Sequence, residues 1–237
     1  MRRLFDMNAK ASLYQFIEGL RNQYPTIYYD RDIESFCNKN NIALFVKEFD
    51  SNGICGAACI GKNCDTIILN GKRTQKEMFF DFIHEFIHTR KHRQKDIREF
   101  ACFDKKQNSF LEWEANEGAA EFLVRFKLFI PTFCELYEIY TNNPDEWKLK
   151  FGTRSIIQEL ANRFNVTDMI VLNRIKNLSY EIDQYRKGTD IDQIYFLSGN
   201  QQIQYNITPT NYSESILQKQ VEYDLELPWD GLLSANY

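Results

Sequence analysis

The stretch Thr74-Gln75-Lys76-Glu77-Met78-Phe79-Phe80-Asp81-Phe82-Ile83-His84-Glu85-Phe86-Ile87-His88 decides how the rest of the chain reads. It opens on a capping box: Thr74 caps the first turn, and Glu77 reaches back to the backbone N–H of Thr74. That signal predicts a helix running to about Arg93. Inside it stands H-E-x-x-H, His84 to His88, in the helical context the motif requires. Residues i and i+4 rise about 6 Å and return to nearly the same face, so the two imidazoles can grip one ion. Glu85 points to the side of that pair, where its carboxylate meets a metal-activated water instead of the metal. A chance match is expected in on the order of one chain in a hundred of this length. This chain has only three His, at 84, 88 and 92, and all of them lie on this one helix.

A catalytic zinc site takes three protein ligands and leaves one position open. His92 lies about 12 Å along the helix from His84, too far to share an ion, and reads as a group on the helix surface or behind the ligands. The longer pattern H-E-x-x-H-x-x-G-x-x-H fails too, with Lys91 where Gly is needed and Gln94 where the third His would be. The third ligand is therefore expected to be a carboxylate from a later helix. Leu111-Glu112-Trp113-Glu114-Ala115-Asn116-Glu117-Gly118-Ala119-Ala120-Glu121 offers four glutamates. Glu114, Glu117 and Glu121 share a helical stripe with Arg125, and for Glu117 and Glu121 a solvated face is the favoured reading. Position alone does not select one of the four.

Working outward, the pattern predicts an α+β chain. An amphipathic helix covers 9–23, with Leu13, Phe16, Ile17 and Leu20 on one face, and ends at Tyr24-Pro25. A short helix follows over 32–39. The period then changes to that of three strands, 43–49, 54–60 and 66–69. Asp50-Ser51-Asn52-Gly53 and Gly61-Lys62-Asn63 supply the turns between them, and Asn70-Gly71 closes the segment. After a polar loop at 104–108, one helix is expected from Phe110 or Leu111 to Ile130, stopped by Pro131. Asn142-Asn143-Pro144 marks a break, residues 153–186 read as two or three helices, and the last 50 residues lose helical periodicity. The expected divisions are a core over 1–135, a helical segment over 136–187 and a mixed C-terminal extension over 188–237.

Composition limits the function classes. The 237 residues carry 29 basic and 33 acidic side chains, a net charge of −4, which argues against a general nucleic-acid binder. No run of about 18 apolar residues suggests a membrane span, and no apolar stretch follows Arg2-Arg3 as a secretory signal would require. The six Cys form no C-x-x-C pair, so reduced thiols in a cytoplasm are expected. Cys55, Cys59 and Cys64 fit no common zinc spacing and read as small buried side chains.

The pattern His84-Glu85-x-x-His88-x-x-x-His92, followed by Glu112-x-Glu114-Ala115-Asn116-x-x-Ala119-Ala120, resembles the ImmA/IrrE metallopeptidases. The likeness is strongest over 54–124 and extends more loosely over about 10–180. It implies a gluzincin-like, zincin-type core, with His84, His88 and Glu114 holding one zinc ion per chain; Glu117 stays open as the alternative third ligand. Glu85 is then the catalytic base. It also implies a protein substrate, a repressor or an antitoxin-like regulator, cleaved with narrow specificity. Three departures from the family pattern concern packing: Ile87 stands where Gly precedes the second His, Gly118 where an aromatic follows E-A-N-x, and Phe122-Leu123-Val124-Arg125 where the helix ends in L-L-M-P.

A second signal lies in Gln158 to Ile175, where Ala161, Asn165, Val166 and Thr167 are placed as in a helix-turn-helix. Its second helix offers Arg174 and Lys176 but also Asp168, in an acidic chain. Support of the core is favoured over DNA recognition. A second function class is a non-enzymatic scaffold that binds a protein partner or DNA through 153–178, and the intact Glu85 favours the enzyme. In the tail, alternating acidic and apolar residues over Val221–Trp229 suggest an edge strand or a docking segment, with simple packing on the domain favoured.

Overall fold

The computed structural model describes residues 9–49, 54–93, 99–103 and 110–226. The turn expected at 50–53, the loop at 104–108 and the tail beyond 226 lie outside the described residues. Helix α1 (Ala9–Gln23) buries Leu13, Tyr14, Ile17 and Leu20 on one face, as the period required. The chain does not become a loop at Tyr24-Pro25. Pro25 takes the first helical position of α2 (Pro25–Asp30), where its missing N–H costs nothing. Asp32 then caps α3 (Ile33–Lys39), its Oδ1 accepting the Ser35 N–H at 2.9 Å.

Four strands make one mixed sheet, where three were expected. They are β1 (Ile42–Lys47), β2 (Ile54–Cys59), β3 (Asp65–Asn70) and β4 (Glu99–Phe103), in the order β1-β3-β2-β4. β1 and β3 run parallel, while β2 is antiparallel to both β3 and β4. Glu99-Phe100-Ala101-Cys102-Phe103 is five residues long with no turn chemistry before it in the sequence, so only its partner β2 reveals it as a strand. Of the three cysteines read as buried, Cys55 is buried on β2, but Cys59 and Cys64 are exposed.

Helix α4 (Gln75–Lys91) follows with its capping box formed: Thr74 N–H donates to Glu77 Oε2 at 2.9 Å, and Glu77 N–H to Thr74 Oγ1 at 3.4 Å. The middle of α4 is buried all round, from Asp81 to Thr89, because β2 and β3 cover one side and α5 (Phe110–Leu123) the other. Phe36 of α3 meets Phe82 and Phe86 edge-on at 5.8 and 5.1 Å. α5 comes close to α4 through small residues. Ala115 and Ala119 are fully buried, and a Cβ on Gly118 would stand 2.9 Å from Ile87 Cδ1 and 3.1 Å from Ile17 Cδ1.

The single helix expected to reach Ile130 is two helices, α5 and α6 (Phe126–Asn142). The break comes at Val124-Arg125, where Glu121 Oε2 accepts the Phe126 N–H at 3.1 Å and so serves the first turn of α6. Pro131 does not stop the chain: it lies inside α6, at the cost of one backbone hydrogen bond. Helices α7 (Pro144–Phe151), α8 (Ile156–Phe164), α9 (Asp168–Asn177) and α10 (Ser179–Arg186) follow, with Pro144 opening α7 as the first helical residue. Asn165, at φ 50°, lets the chain turn between α8 and α9. The last stretch is helical where lost periodicity had suggested otherwise, with α11 (Gly199–Gln204) and α12 (Tyr212–Glu226). Val221 to Glu226, for which an edge strand was one of the readings, is the end of α12.

By its internal contacts the chain forms two compact units. One comprises Met1–Phe126 with Phe164–Thr167 and Phe196–Gly199, and holds the sheet and α1 to α5. The other comprises Lys127–Arg163, Asp168–Tyr195 and Asn200–Tyr237. In this second unit Tyr212 packs edge-on against Phe133 at 5.5 Å and donates its hydroxyl to Asp183 Oδ1 at 2.6 Å. Tyr140 meets Trp147 edge-on at 4.9 Å, and Trp147 Nε1 donates to the Arg154 carbonyl at 2.8 Å. Among the described residues no helix is long and apolar enough to cross a membrane.

Candidate metal centre

The centre lies between α4 and α5, both in the first unit. His84 and His88, one turn apart on α4, turn their Nε2 atoms to within 3.1 Å of each other. Glu112, on the first turn of α5, brings its two carboxylate oxygens to them: Oε2 lies 3.3 Å from His84 Nε2, and Oε1 lies 3.4 Å from His88 Nε2. One turn further along α5, Asn116 Oδ1 stands 3.1 Å from His84 Nδ1. An amide oxygen only accepts, so His84 donates Nδ1–H there and presents a lone pair at Nε2.

Burial pushes the Glu112 carboxyl up, but its contacts with the His84 and His88 rings outweigh that and hold it at about 2. Burial pushes His88 down to about 4. At neutral pH the carboxylate is ionised and the His88 imidazole neutral, the forms that bind a metal. Glu85 is fully buried beside them. Its carboxylate and the two imidazoles offer ligand atoms that all lie within 4.8 Å of one another. Both of its oxygens lack a hydrogen-bond partner among the described residues. Burial, then the charges of Glu112, Asp81 and Cys55, raise its carboxyl well above the usual range. Gly56 on β2 makes the room: a Cβ there would come 3.1 Å from Glu85 Oε1.

The other candidates from the sequence go elsewhere. Glu114 was expected as the third ligand, and the structure does not bring it to the two Nε2 atoms. Two helical residues turn about 200°, so Glu112 and Glu114 cannot face the same ion. Glu114 Oε2 instead lies 3.1 Å from His92 Nε2, and its Oε1 lies 3.2 Å from Lys91 Nζ. Glu117, the alternative, accepts the Tyr14 hydroxyl, and Glu121 serves Phe126. Neither is on a solvated face; both are buried. His92 is buried as well, its Nδ1 2.9 Å from His88 Nδ1, so it stands behind a ligand and not on the helix surface. The signal that finds Glu112 is its phase with Asn116 and Ala119, the side on which α5 is small enough to touch α4.

The donor set fits zinc. Tetrahedral donors at about 2.0–2.1 Å from zinc stand about 3.3–3.4 Å from one another. The two Nε2 atoms and the Glu112 oxygens stand 3.1, 3.3 and 3.4 Å apart. A proton between them could join only one of these pairs, whereas a divalent cation satisfies all three. Two imidazoles and one carboxylate are also the ligand chemistry that zinc accepts.

In the helical pair α8–α9, Arg174 is fully buried, which leaves Lys176 as the exposed cation of α9 beside exposed Asp168 and Met169.

Comparison with protein families matches the peptidase M78 model, described as the IrrE N-terminal-like domain, over residues 57–176, just over half of the chain. That span begins on β2, includes every proposed metal ligand and ends in α9. A search of curated proteins finds no match. With the match over half its length and the His84-Glu85-His88 group in place, the chain belongs to the IrrE N-terminal-like family of M78 metallopeptidases.

Proposed function

We propose that the chain is a zinc-dependent endopeptidase in which His84, His88 and Glu112 hold the metal and Glu85 handles the proton. The observation that carries this reading is the convergence of two Nε2 atoms and one ionised carboxylate at tetrahedral spacing, with a second, buried carboxylate beside them. When bound, zinc supplies Lewis acidity, activating a water and polarising the scissile carbonyl. Glu85 takes the proton of the attacking water and delivers it to the nitrogen of the leaving amine. Its dry surroundings suit both proton transfers. A raised proton affinity strengthens the base, and no donor among the described residues competes for its oxygens. Asn116 orients His84, and Gly56 leaves room for the Glu85 side chain.

A repressor or antitoxin-like regulator is the substrate that the family resemblance suggests, and the cytoplasm is where it would be met. Cys37, Cys55, Cys59, Cys64 and Cys134 are free thiols, which suits that compartment. DNA binding or scaffolding through 153–178 is the lesser reading, since Arg174 is buried and Glu85 has no purpose in a scaffold.

Glu85→Gln tests the mechanism. The variant is expected to keep one zinc per chain and to lose at least about a hundredfold in turnover, the low end for a general base. Cleavage at the parental rate by the zinc-loaded variant would overturn it.

A further inference from the structure

Glu114, displaced from the ligand set, ends a buried chain of hydrogen-bonding groups that begins at His88. We infer that Glu114 and His92 are positioning residues that fix the tautomer and the plane of the His88 imidazole, so that its Nε2 lone pair faces the cation. The inference rests on the metallopeptidase reading for its purpose, but not for its geometry.

The direction of each bond follows from what each group can do. Glu114 Oε1 lies 3.2 Å from the Lys91 ammonium, which only donates. Glu114 Oε2 lies 3.1 Å from His92 Nε2. A carboxylate only accepts, so His92 carries its proton on Nε2, and a neutral His92 then has a lone pair at Nδ1. That lone pair faces His88 Nδ1 at 2.9 Å. His88 must donate there, so its proton sits on Nδ1 and its Nε2 is bare on the side of His84 and Glu112. His84 reaches the same state by a shorter route, through the Asn116 oxygen. Both imidazoles therefore point bare nitrogens at one place, each held from behind by an acceptor. Partners of this kind, on the far nitrogen of a ligating His, set its tautomer and basicity.

A purely structural role for His92 has a different signature. Its backbone N–H already closes α4 on the His88 carbonyl at 3.2 Å, and that bond needs no imidazole. Two substitutions separate the roles. In His92→Gln the amide oxygen can still accept from His88 Nδ1–H. In His92→Leu the space is filled but nothing accepts. Glu114→Leu breaks the chain one link further out and serves if His92→Leu does not fold.

The experiment reads histidine side-chain ¹⁵N shifts of the metal-free full chain, and zinc affinity by competition with a chelator. The parent and His92→Gln are expected to show His88 protonated at Nδ1 and to bind zinc within a few-fold of each other. His92→Leu and Glu114→Leu are expected to show a mixed His88 tautomer and about 10–100-fold weaker zinc binding. Parental affinity and an unchanged tautomer in folded His92→Leu or Glu114→Leu would overturn the inference, and so would an Nε2-protonated His88 in the parent. A parent that shows the Nδ1–H tautomer but takes up no zinc would sink the metallopeptidase reading and leave the hydrogen-bonded chain standing.

Discussion

Helix α5 buries four glutamates on two faces, and the faces treat the charge differently. On one, Glu114, Glu117 and Glu121 each meet a protein donor: the His92 ring with Lys91, the Tyr14 hydroxyl and the Phe126 N–H. On the other, Glu112 meets two imidazole nitrogens, of which one is bare by its own hydrogen bonding and the other by the inferred chain. A buried carboxylate beside a donor is a stabilising hydrogen bond. A buried carboxylate beside lone pairs is a site that needs a cation. Burial and residue type therefore do not single out the proposed ligand among the four glutamates; what stands opposite it does.

Substitutions on the two faces can break or sharpen that contrast. Glu112→Gln keeps the shape and removes the charge. It is expected to weaken zinc binding by more than the roughly 10–100-fold assigned to a partner outside the ligand shell, measured by chelator competition. An effect smaller than that of Glu114→Leu would reverse the roles of the two faces. Tyr14→Phe acts on the other face, removing the donor to Glu117. It is expected to lower stability by about 1–3 kcal/mol in denaturant unfolding while zinc affinity stays parental. A shift in zinc affinity would show that the second face also belongs to the centre.

The contact between α4 and α5 gives a smaller effect. Ile87 and Gly118 are two of the departures from the family pattern, and in space they are one exchange. The Ile87 side chain occupies the room that a side chain at 118 would need. In Gly118→Ala, overpacking of about 1–3 kcal/mol works against a helix-propensity gain of about 1 kcal/mol. The expected result is a net loss of roughly 1 kcal/mol that shrinks toward zero in an Ile87→Val background. Equal penalties in both backgrounds would separate the two positions. Smallest is Thr74→Ala, which removes the cap of α4 far from the proposed metal site. About 1 kcal/mol of stability is expected to go, with no change in zinc affinity.

The parts of this molecule that are legible in sequence are local. Thr74 and Glu77 announce α4 because a capping box is a contact between residues three apart, and His84 and His88 converge because a helix brings i and i+4 together. The third carboxylate is not legible: which face of α5 meets α4 depends on small residues at 115, 118 and 119 and on side chains from α1 and α4 that fill the gap. Resemblance points to Glu114, two residues from Glu112 and on the opposite face. β4 escapes because a five-residue strand shows itself only in its partner. The break at Val124-Arg125 escapes because Glu121, read as solvated, turns inward to serve the next helix.

The most direct test of the account is anomalous diffraction at the zinc edge from crystals of the zinc-loaded chain. One peak per chain is expected within about 2.0–2.2 Å of His84 Nε2, His88 Nε2 and a Glu112 oxygen, with Glu114 still on His92. A peak bonded to Glu114, or none at His84 and His88, would contradict it.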